Sequence, residues 1–331
     1  MKRIFTVIIL TSFVLLANTN VKAQDLQQFF DESEADGIQY LGEYFRPAIV
    51  SASNGIANGW NNTAKPHKLF GFDATMTVSV AGIPETDYNF LFKNEDYNSI
   101  RLVGGQTEAD LPTLAGGDSN QQLEVYDPET GATIPNSQFG APNGAGFDQV
   151  PVIKPGLPII LANIGVGLPK NTELRVRFSP ISNIGEDISI AGSFGIGVLH
   201  DIKQWIPGIK LAPLDISAFV GYNRYNFNYI DADENEVSFT SSATTFNILA
   251  SKKLLFFTPY VGLGFNAINS SFSFSAPSAG IENAEFEYDN LGGARATIGA
   301  RLKILWVLAL NVDYTIQKYN TVNVGLGLNI R

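Results

Sequence analysis

The sequence predicts an all-β fold, a transmembrane antiparallel β-barrel of about 12 strands (range about 10–14) with a short N-terminal helical plug. Three observations lead there. Segments throughout the chain alternate strictly between apolar and small polar side chains. The polar positions hold Gly, Ser, Thr and Asn rather than Lys and Glu, which suits the crowded inside of a closed barrel better than the wet outside of a secreted two-sheet sandwich. After its first residues the chain has no apolar run long enough to cross a bilayer as a helix.

Those first residues read as an export signal. Met1, Lys2 and Arg3 are followed by an apolar run from Ile4 to Ala17, then Asn-Thr-Asn and Val21-Lys22-Ala23 before Gln24. This is the pattern of a secretory leader cut near Ala23, so residues 1–23 are read as a signal peptide. The apolar run falls short of the roughly 20 residues a membrane-spanning helix needs. The chain has no cysteine, so no disulfide can form in the oxidising compartment beyond. The net charge of -10 deepens once Lys2, Arg3 and Lys22 are removed, and argues against nucleic acid as a partner. The greasiest later run, LKILWVLAL from Leu302 to Leu310, is too short for a helical span. If this chain enters a membrane it does so with strands.

The strands follow in order. In LFGFDATMTVSVA, Phe70, Phe72, Ala74, Met76, Val78 and Val80 share one face of a pleated strand; Gly71, Asp73, Thr75, Thr77 and Ser79 share the other. The apolar face is assigned to lipid and the polar face to a lumen. The pattern recurs near 158–168, 172–179, 187–199, 213–225, 244–251, 257–268, 292–304, 306–317 and 320–331. Weaker candidates at 99–103 and 121–126 would bring the first ten strands to about twelve. Tyr222, Tyr225, Trp306, Tyr314 and Tyr319 are read as an aromatic girdle at the membrane interfaces.

Connections supply the orientation. The DADENE loop (231–236) and the polar stretch 270–290 fall outside, while short turns at 169–171 and 251–253 fall in the periplasm. Residues 104–155, rich in Gly, Pro and Asp, are read as a poorly ordered external loop or an unresolved strand pair. In the stretch 200–213, Ile202, Trp205 and Ile206 have helical spacing before Pro207-Gly208. They predict a short helix with Trp205 at headgroup level, or a helical turn packed on the barrel mouth.

Before the barrel, residues 24–66 lack alternation. Leu26, Phe29 and Phe30 share one helical face, and Ile38, Leu41, Tyr44 and Phe45 another, which predicts two short amphipathic helices ending before Pro47 and turns thereafter. Phe29, Phe30, Tyr44 and Phe45 are the plug candidates. Parity sends Arg175, Arg177, Arg295, Arg301 and Lys303 into the lumen. They could pair with plug acids (Asp25, Asp31, Glu32, Glu34, Asp36 and Glu43), hold the anionic head of a ligand, or line a solvated pore.

Three blocks carry a resemblance: NGWNNTAKPHKLFGFDAT (58–75), LPIILANIGVGLPKNTELRVRF (157–178) and HDIKQWIPGIKLAPLDISAFVGY (200–222). They resemble an uncharacterised, domain-of-unknown-function family of Bacteroidota outer-membrane barrels. The layout of helical plug and barrel is similar to the long-chain fatty-acid and hydrocarbon transporters of the outer membrane, and implies passive uptake of a hydrophobic small molecule.

Enzyme chemistry finds no support. Of the two histidines, His67 is read at the periplasmic rim and His200 on the lipid side or at the rim, and Ser193 in AGSFG lies mid-strand rather than on a strand-to-helix elbow. No His, Cys and carboxylate cluster stands at metal-ligand spacing. The expectation is therefore an outer-membrane protein with no catalytic residue, metal or cofactor. Its partners are outer-membrane lipid and a hydrophobic or anionic small molecule. The alternative is a closed structural barrel that binds a protein partner through its external loops.

Overall fold

The computed structural model describes residues 34–146, 156–180, 183–184, 188–189, 193–230, 235–277, 281–304 and 307–330. A helix, α1 (Glu34–Ala57), precedes strand β1 (Phe72–Ala81). Five short strands follow: β2 (Asn89–Lys93), β3 (Ile100–Leu102), β4 (Glu108–Pro112), β5 (Gln122–Val125) and β6 (Phe139–Gly140). Next come β7 (Pro158–Leu168), β8 (Thr172–Phe178), the dipeptide strands β9 (Asn183–Ile184) and β10 (Ile188–Ser189), and β11 (Phe194–Asp201). The chain continues through β12 (Asp215–Ile230), β13 (Glu236–Ser251), β14 (Phe257–Ala276), β15 (Ile281–Tyr288), β16 (Gly293–Ile304), β17 (Leu308–Ile316) and β18 (Thr321–Ile330).

Ten of these strands close into an antiparallel barrel, in the order β1, β7, β8, β11, β12, β13, β14, β16, β17, β18, with β18 paired back onto β1. They are the ten strongly alternating segments of the sequence. The two weaker candidates are β3 and β5, which pair with each other in a small sheet outside the barrel and so add nothing to its wall.

Alternation sets the register. β1 and β18 pair from Phe72↔Ile330 to Ala81↔Thr321 without a bulge. Asp73, Thr75, Thr77 and Ser79 are buried inside, whereas Phe72 and Met76 stand exposed on the outer wall with Val261, Leu263, Ile298, Leu326 and Leu328. A slip of one residue would reverse both faces. The outer band of exposed apolar side chains has the composition of a lipid-facing wall. The predicted girdle needs correction. Tyr222 and Tyr314 are on the outer wall, but Tyr225 and Tyr319 are buried inside; Trp306 lies outside the described residues.

Both ends of the barrel segment, Phe72 and Ile330, lie at one rim with the connections 169–171, 202–214, 252–256 and 305–307. The opposite rim carries the connection 82–157, which contains two small sheets, β2–β4 and β3–β5–β6. Residues 104–146, read from the sequence as a poorly ordered loop or an unresolved strand pair, carry β4 and the paired β5 and β6 and belong to a folded cap whose Phe92, Ile100, Leu102, Leu111, Leu114 and Leu123 are buried. The polar stretch 270–290 is likewise no plain loop, because β14 runs on to Ala276 and pairs there with β15. In the stretch 200–213 the helical spacing takes the form of two short 3-10 turns, Lys203–Trp205 and Ile209–Leu211, with Trp205 exposed. His200 is tied to the rim by Thr172 at 2.8 Å. Residues 231–234 of the acidic loop lie outside the described residues.

The helix also departs from expectation. The first predicted helix, with Phe29 and Phe30, lies outside the described residues, and the second continues through Pro47 to Ala57. A mid-helix proline loses one backbone bond and costs about 3 kcal/mol in an exposed helix. Here the barrel wall encloses the turns beyond it, and side chains add local bonds. Ser53 Oγ donates to the Ile49 carbonyl at 2.6 Å and Asn54 Nδ2 to the Val50 carbonyl at 2.9 Å.

Candidate functional site: the plugged lumen

Helix α1 starts beside the cap and descends into the lumen. Asp36 accepts bonds from the backbone N–H groups of Asn98, Ser99 and Ile100. Tyr44 is buried and donates to the Asn143 carbonyl at 2.7 Å. Phe45 packs on Phe272 with ring centroids 5.2 Å apart. Two of the four plug candidates therefore pack the helix against cap and wall. Lower down, Ser53 and Ser270 hydroxyls meet at 2.7 Å. The helix ends at Ala57, and Gly59 takes the left-handed conformation (φ 71°) that turns the chain out of it.

A helix C-terminus leaves carbonyls unsatisfied and carries partial negative charge, and the last turn of α1 contains no basic residue. The barrel wall supplies the cations. Arg177 Nη1 donates to the Ile56 carbonyl at 2.9 Å, Arg295 Nη2 to Asn58 Oδ1 at 2.6 Å, and Arg301 Nη1 to Asn62 Oδ1 at 3.1 Å. Arg175 Nη1 reaches both the Trp60 carbonyl and Asn61 Oδ1. Thr245 adds a bond to the Ala57 carbonyl and Tyr260 one to the Asn61 carbonyl.

All four arginines are buried. Charge matching from the sequence paired them with acids on the plug. Their plug contacts are instead neutral, carbonyls and asparagine amides of residues 56–62, while the balancing carboxylates sit on the wall itself. Glu173 Oε1 receives Arg175 Nε at 2.8 Å, and Asp313 accepts from Tyr260 and Asn323, each at 2.7 Å. Lys303 is half-buried near the far rim.

Trp60 anchors the descent. Its ring lies under the Arg177 guanidinium, 3.8 Å from carbon to centroid, and beside Phe219 at 5.3 Å. The wall beneath is glycine: a β-carbon on Gly195 would come within 3.0 Å of the Trp60 ring, and one on Gly197 within 2.8 Å of Phe219. The voids left between residues 59–62 and the wall are only about 10 Å³ each, less than the room a single water needs. A larger groove, about 390 Å³, opens on the outer wall around Ala218, Val220, Phe246 and Leu263. These residues face lipid.

At the far rim the structure assembles a cluster that spacing could not reveal. His67, Asp73 and Glu173 are buried together, with His67 Nε2 3.7 Å from Asp73 Oδ1 and 3.9 Å from Glu173 Oε2. Asn329 touches the same nitrogen at 3.3 Å. The partners lie on the plug, β1, β8 and β18, over 100 positions apart in the chain for His67 and Glu173, so no local motif marks them. The asparagines of NGWNN and the tryptophan among them were legible only as turn residues. Ser193, flagged by its glycine neighbours, precedes β11 and exchanges bonds with the Asn226 backbone.

A family model described as a family of unknown function (DUF6588) matches residues 1–330. No curated protein matches the chain. Among solved structures it is similar to the attachment invasion locus protein Ail of Yersinia pestis, at 7% identity and TM-score 0.29 over 79% of this chain and 99% of that one. It is similar also to the translocator domain of the autotransporter NalP from Neisseria meningitidis, at 8% identity and TM-score 0.28 over 91% and 99% of the two chains. A third similarity, to Salmonella typhi OmpF, has 7% identity and TM-score 0.19 over 78% and 97%.

Proposed function

The chain belongs to that family of unknown function, and from this premise we propose that it is a closed outer-membrane barrel whose work is done by its cap at the cell surface. The observation that carries the reading is the engagement of all four lumen arginines by residues 56–62. Guanidinium groups free to hold an anionic ligand would need to face open space, and among the described residues the two voids beside residues 59–62 are about 10 Å³ each where a small-molecule site needs several hundred. Long connections mark the outer face of such barrels, so the cap end is outside and the barrel termini are periplasmic. The folded cap is then the surface offered to a partner, and the reading is non-enzymatic.

Uptake of a hydrophobic or anionic small molecule remains the second reading in one form only. The plug's grip on the lower lumen combines hydrogen bonds that water can replace with the apolar packing of Trp60 and Ala64 against Leu199, Phe219 and Leu249, so a transporter would have to release residues 34–66 as a unit. Planar-bilayer conductance separates the two. The closed-barrel reading expects no steady current from the intact protein and a current once residues 24–66 are deleted. Steady current from the intact protein would overturn it.

A further inference from the structure

We propose that His67, Asp73, Glu173 and Asn329 form a site for a divalent cation of zinc's class, which clasps the lower end of the plug to the barrel wall. His67 ends the plug segment, while the others stand on β1, β8 and β18. All four are buried. One donor atom from each of His67, Asp73 and Glu173 lies within 4.8 Å of the others. The 3.7 and 3.9 Å gaps at His67 Nε2 are too wide for hydrogen bonds. Ligand atoms on a tetrahedral ion with bonds of about 2.1 Å lie about 3.4 Å apart, so shifts of a few tenths of an ångström bring each carboxylate to that spacing from His67 Nε2.

Independent features point into the same space. The buried Asp73 carboxylate has His67 Nε2 as its ion-pair partner at 3.7 Å, a separation wider than a hydrogen bond. Asn329 Oδ1 is buried and has no hydrogen-bond partner, while its amide nitrogen sits 3.3 Å from His67 Nε2. Turning that amide end for end presents the oxygen as a fourth ligand. The wall keeps the space clear: a β-carbon at Gly165 would come within 2.6 Å of Asp73 Oδ1 and 2.7 Å of Glu173 Oε1.

The surroundings orient the ligands. Arg175 holds Glu173 Oε1 through Nε and Nη2, both at 2.8 Å, and the His67 backbone N–H donates to Oε2 at 2.8 Å. Outer partners of this kind fix ligand geometry in metal sites. Arg175 pairs directly with Glu173 and, with Arg301, also acts on Asp73; a metal ion would add positive charge at closer range. One imidazole, two carboxylates, one amide and no thiolate suit Zn²⁺ or Mn²⁺.

The clasp deepens the closed-lumen reading, but its test does not use conductance, so the two can fail separately. The full chain, folded in detergent and stripped with a chelator, is titrated with Zn²⁺ while bound metal and thermal melting are followed. The proposal expects one ion per chain, a rise in Tm saturating at one equivalent, and zinc affinity weakened at least about tenfold in Asp73→Asn. Should that variant fail to fold, Asn329→Asp adds a charged ligand and is expected to tighten zinc binding. A wild-type Tm unmoved by Zn²⁺ but falling as pH rises through the imidazole range would overturn the site in favour of an imidazolium between two carboxylates.

Discussion

Arg177 lies over Trp60, its guanidinium carbon 3.8 Å from the ring centroid, while its Nε donates to Asn163 Oδ1 at 2.7 Å and its Nη1 to the Ile56 carbonyl. One cation on the wall thus holds the end of the helix and the side chain that follows it. The contact joins the plug to β8 and, through Asn163, to β7. A cation over tryptophan gains most when both are desolvated, as they are here.

Trp60→Ala therefore removes a buried aromatic and exposes the face of a buried guanidinium. A loss of about 3–5 kcal/mol is expected from the cavity, read as a lowered Tm in detergent with the strand content by circular dichroism retained below the transition. A Tm within a degree of wild type would mean the ring does not anchor the plug.

Gly165→Ala tests the crowding at the far rim. Its new methyl would overlap Asp73 Oδ1 and Glu173 Oε1, and overpacking of that kind costs about 1–3 kcal/mol. A control at Gly104, where nothing lies within 4 Å but φ is 84°, should leave the far rim unaltered when replaced by Asn, a residue that tolerates the left-handed region.

Orientation is tested by epitope tags. A tag between Gly104 and Gly105, in the exposed cap, should bind antibody on intact cells. A tag between Lys252 and Lys253, at the opposite rim, should bind only after permeabilisation. The reverse pattern would place the cap in the periplasm.

The cap carries an acid-sensitive pair. Burial by itself would raise the Glu124 carboxyl, but bonds from Arg101 at 2.8 Å, Gln138 at 3.2 Å and Thr133 at 3.1 Å outweigh it and hold its pKa below 4.5. Because the folded value is depressed, the stabilisation is present above the unfolded pKa and disappears as pH falls through the folded one. Wild type should be more stable than Glu124→Gln at pH 6, and the difference should shrink as pH falls below the ordinary carboxylate value and through the folded one, as followed by hydrogen exchange across residues 100–125 of both proteins at matched pH.

Much of the barrel was legible because period-two alternation reports each residue's face directly: all ten wall strands, and the inward side of Arg175, Arg177, Arg295 and Arg301, follow from parity alone. Parity already sets Tyr225 on the inward face with Ser217 and Asn223, so its girdle reading goes against the alternation, and Tyr319 lies buried in the β17–β18 connection, where alternation carries no information. Helix length failed at Pro47 because tertiary enclosure outweighed a local penalty. The partners of the arginines were hidden for a different reason. Sign matching looks for carboxylates, whereas the acceptors are backbone carbonyls and asparagine amides, which carry no charge to match. His67, Asp73 and Glu173 converge only through barrel closure.

The central claim, that residues 34–66 occupy the lumen, is tested most directly by covalent trapping. The natural chain has no cysteine, and the Ser53 and Ser270 hydroxyls meet at 2.7 Å inside the barrel. In the double variant Ser53→Cys, Ser270→Cys, mass spectrometry of the unreduced, membrane-extracted protein should find the peptides joined by a disulfide in nearly every chain. Two free thiols in a folded barrel, both open to an alkylating reagent, would mean the helix does not sit in the lumen.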